Sequence, residues 1–135
     1  MKRVCVLLGL MVLVSSVAMA QSKVTKETVP GITNLARLET TVACSGSITA
    51  QSVPEIKKMG FVAIINLRPA DEPGANVEEE AAAAKAAGLK YVHIPFVTAT
   101  PSASAVDTFV KAITESGTQP AFIHCSGGKI GRAHV

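Results

Sequence analysis

Beyond residue 60 the chain carries three short, unbroken apolar runs: FVAIINL (61–67), KYVHIPF (90–96) and PAFIHC (120–125). Each is rich in β-branched or aromatic residues and bounded by turn formers, so each predicts a strand covered on both faces rather than one wetted at alternate positions. The segments between them have helical character. NVEEEAAAAKAAG (76–88) places three glutamates in a first turn, follows them with alanine and stops at Gly88, which predicts a helix whose charges suit its dipole. Val106, Phe109, Val110 and Ile113 recur at i, i+3, i+4 and i+7, predicting an amphipathic helix that Gly117 ends. Thr49 to Met59 predicts a further helix, with Pro54 blurring its start. Strands that alternate with helices build an α/β fold of three layers, a mostly parallel sheet between two helical faces. Gln21 to Gly31 has no comparable periodicity, and residues 21–37 are expected to be a lead-in to a domain spanning 38–128.

The most apolar stretch of all lies outside that pattern. Residues 1–20 combine Lys2 and Arg3, an apolar run from Val4 to Val14, and Ala18-Met19-Ala20, the layout of a secretory signal cleaved before Gln21. The run is too short for a stable membrane span. Removing these 20 of 135 residues leaves 115, enough for one domain with a modest core. Two of the 13 basic residues lie in the signal and all 10 acidic ones beyond it, so a net charge of +3 becomes +1. With no Lys/Arg cluster, one Tyr and no Trp, nothing suggests binding to nucleic acid or to an anionic membrane. The expected location is periplasmic or secreted, an oxidising setting in which Cys44 and Cys125 are the two cysteines left to pair.

Cys125 is the residue with chemistry to explain. It stands where AFIH runs out, at the strand end beyond which open parallel sheets bind ligands, and Ser126, Gly127 and Gly128 follow. The glycines let the backbone curl around an anion and turn several N–H groups toward it. A helix start after the loop would favour the thiolate, making Cys125 a candidate nucleophile.

HCSGG after a buried strand resembles the signature of the cysteine-dependent protein tyrosine phosphatase superfamily. ACSGSITAQSVPEIKKMGFVAIINLRPADEP, EEEAAAAKAAGLKYVHIPF, PSASAVDTFVKAI and PAFIHCSGG, in that order over Leu38–Gly128, resemble the bacterial beta-lactamase-hydrolase-like phosphatase-like domain, a relative of dual-specificity phosphatases. The resemblance implies a tyrosine-phosphatase-like fold and hydrolysis of phosphomonoesters through a cysteinyl-phosphate, without cofactor. It implies Cys125 as nucleophile, His124 as a group that stabilises the thiolate, and Ser126, Gly127 and Gly128 as the phosphate cradle. Arg68, in NLRP, matches a family arginine and is a candidate phosphate ligand, with a surface ion pair as its plainer role.

Two pieces do not fit the family. A C-x4-R or C-x5-R loop needs its arginine at position 130 or 131, which are Ile130 and Gly131; Arg132 comes one or two residues late. Bidentate phosphate recognition depends on where the guanidinium fork lies. IGRAHV also corresponds to one reading frame of a common sequencing adapter, so residues 129–135 are expected to be a non-native tail, the domain to be truncated in its active-site loop, and this chain to be inactive. The loop expected to bear the general acid, PFVTATPSAS, contains no Asp or Glu, leaving Asp107 just inside the next helix as the nearest candidate. A first-turn charge on that helix is the plainer role for Asp107.

The remaining candidates are structural. His93 lies in an apolar strand and is expected to be a satisfied core histidine, and Glu78-Glu79-Glu80 a solvated helix start. His93, His124 and Cys125 lack zinc spacing, and SGGK lacks the flanking residues of a nucleotide P-loop. Beside a phosphatase acting on a phosphorylated small molecule or phosphoprotein stand a rhodanese-like sulfurtransferase, with a persulfide on Cys125, and a non-catalytic phosphate-binding module.

Overall fold

The computed structural model of the chain describes residues 24–38 and 41–129. The expected signal (1–20), Arg132 and all of the expected tail but Lys129 lie outside the described residues. Six strands are present: β1 (Val24–Val29), β2 (Ile32–Leu38), β3 (Val42–Ser45), β4 (Ala63–Asn66), β5 (Lys90–His93) and β6 (Ala121–His124). A 3₁₀ turn (Ala50–Ser52) leads into helix α1 (Val53–Lys58), followed by α2 (Val77–Ala86) and α3 (Ala103–Thr114). The strands form one sheet in the order β1-β2-β3-β6-β4-β5. The four strands from β3 to β5 are parallel, and β1 and β2 join them antiparallel.

Two of the three apolar runs form the middle of the sheet because both of their faces are covered; the third, β5, is instead an edge strand, exposed at Lys90 and half-buried from Tyr91 to His93, because no strand flanks it beyond β4. Every residue of β4 and of β6 is buried. Successive side chains point to opposite faces, so Ile64 and Phe122 pack with Val53 and Ile56 of α1 and Ala84 of α2. Ile65 and Ile123 face the other way, against Ala112 and the half-buried Phe109 and Ile113 of α3. The helical layers therefore lie on both faces, as the alternation predicts. Helix α2 closes with Ala87 and Gly88, the latter at φ +69°, whose N–H reaches the Lys85 carbonyl at 3.1 Å. Helix α3 opens at Ser102, whose hydroxyl accepts the Ala105 N–H at 3.1 Å.

Two expectations need correction. The segment 21–37 is not a mere lead-in: it supplies β1 and β2, joined through Pro30 and Gly31, the latter at φ +77° as a tight turn requires. β1 is an edge strand with neither face well covered, so no alternation marks it. On α3, Val106 and Val110 are 44% and 50% exposed; the face turned to the sheet is Ala105, Phe109, Ala112 and Ile113.

The parallel strands end in step. Ser45 pairs with His124, His124 with Asn66, and Asn66 with His93, one polar row across the carboxyl end of the sheet.

Candidate active site

Cys125 is the first residue past that row. The loop it opens is tied to the β2 and β3 side by backbone: the Cys125 N–H donates to the Ser45 carbonyl at 3.2 Å, and the Ser126 carbonyl accepts the Ser47 N–H at 2.9 Å and its hydroxyl at 3.0 Å. Asn34 of β2 donates its side-chain amide to the Gly127 carbonyl at 3.2 Å. The loop then folds back, and the Gly128 N–H points at Cys125 Sγ from 3.2 Å. An N–H held on a sulfur favours the thiolate and later an anion bound to it. Gly128 sits at φ +71°, and a Cβ there would lie 2.8 Å from the Gly46 nitrogen. Gly46 is constrained in turn, since a Cβ there would run into Thr33 Oγ1 and lie 3.0 Å from the Ser126 carbonyl oxygen. The two glycines let two backbones approach where any side chain would separate them.

Beside the sulfur is a cleft of about 190 Å³, lined on the loop side by Cys125, Ser126, Gly127 and Lys129. Arg68 and Glu72, from the connection between β4 and α2, and Phe96 and Thr98, from that between β5 and α3, close it. Arg68 is buried, with Nη1 donating to the Gly74 carbonyl at 2.6 Å and Nη2 to Pro73 at 2.9 Å. Its Nη2 is also 3.5 Å from Glu72 Oε1. Arg68 therefore fastens the loop 69–75 and brings positive charge to the wall of the cleft. The Ser126 hydroxyl, and then Arg68, hold the Glu72 carboxyl below its ordinary range.

Asp107 is exposed on α3 and is not part of the cleft wall. The acidic residue on that wall is Glu72. It comes not from the loop before α3 but from the preceding connection, whose ADEP run looks like an ordinary turn.

Beneath the loop is a second polar group that no pattern along the chain announces. Glu80 has no exposure. Its Oε2 accepts from Asn66 Nδ2 at 2.9 Å and from the Tyr91 hydroxyl at 3.0 Å, and lies 3.0 Å from His124 Nε2. The ring nitrogen is close to that oxygen but makes no aligned hydrogen bond with it, and His124 Nδ1 and Glu80 Oε1 are likewise buried without a partner. Burial, above all, and the Glu80 charge push the Tyr91 hydroxyl up. The solvated helix start expected at 78–80 thus holds for Glu78 and Glu79 alone. His93 is a satisfied histidine, its Nε2 2.7 Å from the Arg68 carbonyl.

Cys44 and Cys125 are both free thiols within one core cluster. Burial first, and Cys125 second, push the Cys44 thiol up. Among the described residues no group of three His, Cys, Asp or Glu is placed to hold a metal.

Residues 34–134 match the family described as "Beta-lactamase hydrolase-like protein, phosphatase-like domain". Comparison with curated protein sequences gives no match. Among solved structures, a candidate phosphatase from Shewanella putrefaciens CN-32 superposes with a TM-score of 0.68 at 26% identity, over 75% of this chain and 64% of that one. The chain thus spans just under two thirds of that relative. A candidate phosphatase from Neisseria meningitidis Z2491 gives a TM-score of 0.61 at 21% identity, over 70% and 68% of the two chains. TpbA of P. aeruginosa gives 0.60 at 18% identity, over 81% and 62%, and shares the fold.

Proposed function

Because the chain belongs to the phosphatase-like domain family of the beta-lactamase hydrolase-like protein, we propose that it is built to hydrolyse phosphomonoesters with Cys125 as a thiolate nucleophile. The observation that carries this reading is the Gly128 N–H held 3.2 Å from Sγ, in a glycine loop at the carboxyl end of a central parallel strand. In the first half of the reaction Sγ bonds to phosphorus as the bond to the leaving oxygen breaks, and that oxygen takes a proton. In the second half water attacks phosphorus, the S–P bond breaks, and inorganic phosphate and the thiolate are released.

Glu72 is the group for the proton transfers. Held as a carboxylate by Ser126 and Arg68, it is suited to take the proton of the attacking water, and a phosphate dianion arriving beside it raises its proton affinity for the first half. The substrate class is set no further than a phosphate carried by a group that fits beside Phe96 and Thr98. TpbA has been crystallised with pTyr, which supports an aryl phosphate as the first probe. The leader-like residues 1–20 support action outside the cytoplasm.

Because this chain has no arginine at position 130 or 131 and is expected to be inactive, the test is aryl-phosphate hydrolysis by Ile130→Arg and by the same chain carrying Cys125→Ser, with thiosulfate-to-cyanide sulfur transfer measured beside it. Hydrolysis abolished by Cys125→Ser is the expected result. Equal hydrolysis in both would sink the thiolate mechanism, and sulfur transfer without hydrolysis would replace it with persulfide chemistry.

A further inference from the structure

Glu80 is a carboxylate without exposure in a first turn whose other two glutamates are exposed. A charge in such a place is tolerated only if paired and hydrogen-bonded. Asn66 from β4 and Tyr91 from β5 both donate to Oε2, and His124 from β6 brings a ring nitrogen to the same atom. Donors converging on one oxygen suit an ionised carboxylate, which only accepts.

An ionised Glu80 would need a cation close by, since its other oxygen, Oε1, is buried without a partner. Arg68 is occupied by the Pro73 and Gly74 carbonyls and by Glu72, and His93 by the Arg68 carbonyl. From β3 comes Ser45, which is neutral and turns its hydroxyl to the Gly46 carbonyl at 2.9 Å. His124 is what remains, one residue before the nucleophile.

We propose that Glu80 is the buried counterion that holds His124 as an imidazolium beneath Cys125, which makes Glu80 a positioning residue for the thiolate. Glu80 would touch neither substrate nor phosphate. It would act from the opposite face of the sheet, by fixing a positive charge in the backbone segment from which the sulfur projects, and by tying α2, β4, β5 and β6 together where the loop begins. The inference rests on Cys125 working as a thiolate, but its readouts need no turnover.

The sign of the effect makes it testable. If Glu80 acted only as a nearby negative charge, removing it would favour the thiolate; if it acts through His124, removing it disfavours the thiolate. The experiment compares the full chain with Glu80→Gln in two readouts. One is Cys125 alkylation by iodoacetamide against pH, with each cysteine followed separately by peptide mass spectrometry. The other is the ¹⁵N spectrum of the histidine rings. We expect imidazolium nitrogen shifts for His124 at pH 7 in the parent and neutral shifts in the variant, with Cys125 alkylation at pH 6 slowed about tenfold. A neutral His124 in the parent, or alkylation as fast or faster in Glu80→Gln, overturns the proposal. Should that variant not fold, His124→Gln removes the cation directly: slowing of the same size supports the proposal and an unchanged rate overturns it. Loss of phosphate hydrolysis with these shifts intact would count against the hydrolytic reading alone.

Discussion

At Gly128 one hydrogen atom in place of a methyl group decides whether the loop can close. A Cβ there meets the Gly46 nitrogen at 2.8 Å and the Ser45 carbonyl carbon at 3.1 Å, both backbone atoms that cannot swing aside, at a φ that L side chains avoid. Gly128→Ala is expected to destabilise the fold by about 1–3 kcal/mol in chemical denaturation, and to slow Cys125 alkylation as the N–H leaves the sulfur; a variant matching the parent in both would show that the approach is not required. Position 130 makes the complementary prediction. In the sequence Arg132 falls one or two residues past the C-x4-R or C-x5-R position, so Ile130→Arg is expected to raise aryl-phosphate turnover on the order of 10²-fold, the scale of one well-placed charge-stabilising donor. Cys125 was legible in the sequence because its chemistry depends on neighbours in the chain, Ser126 to Gly128. Glu80 was not, because three successive glutamates look alike until the phase of α2 against the sheet turns one of them inward.

At the scale of elements, what could be read was what repeats. β4, β5, β6 and α2 follow from unbroken apolar runs and an alanine-rich helix, and they lie where the pattern puts them. The hairpin of β1 and β2 was missed because an edge strand buries too little to leave a period, although Pro30-Gly31 marked its turn. It matters to the site, since Asn34 of β2 holds the Gly127 carbonyl. The expected stripe on α3 was correct in kind and rotated in fact. That rotation can be checked by equilibrium denaturation: Val110→Ser, on the 50% exposed side, should change stability by no more than about 0.5 kcal/mol. Ile65→Ala, in the cluster that α3 covers, should remove about 2–5 kcal/mol. Comparable losses would mean that α3 turns the valine side to the sheet.

Over the whole molecule, family and fold were both within reach of the sequence, because segment order and spacing from Leu38 to Gly128 are a global property. The acid was not. Glu72 and Cys125 are brought to one cleft by two different crossovers, and no spacing along the chain encodes that meeting. β6, which leads into Cys125, is the last strand in sequence among the described residues and yet lies between β3 and β4. Ala43 waits for Phe122, and Ala63 for Ala121, before the parallel sheet can exist. Assembly is thus governed by distant pairings, which are slow to find, and β3 and β4 each keep a bare edge until β6 arrives. During that interval the thiol is a free and unguarded group on an unfolded segment. With the strand that leads into Cys125 in the centre of the sheet, the site is complete only once both of that strand's neighbours are paired.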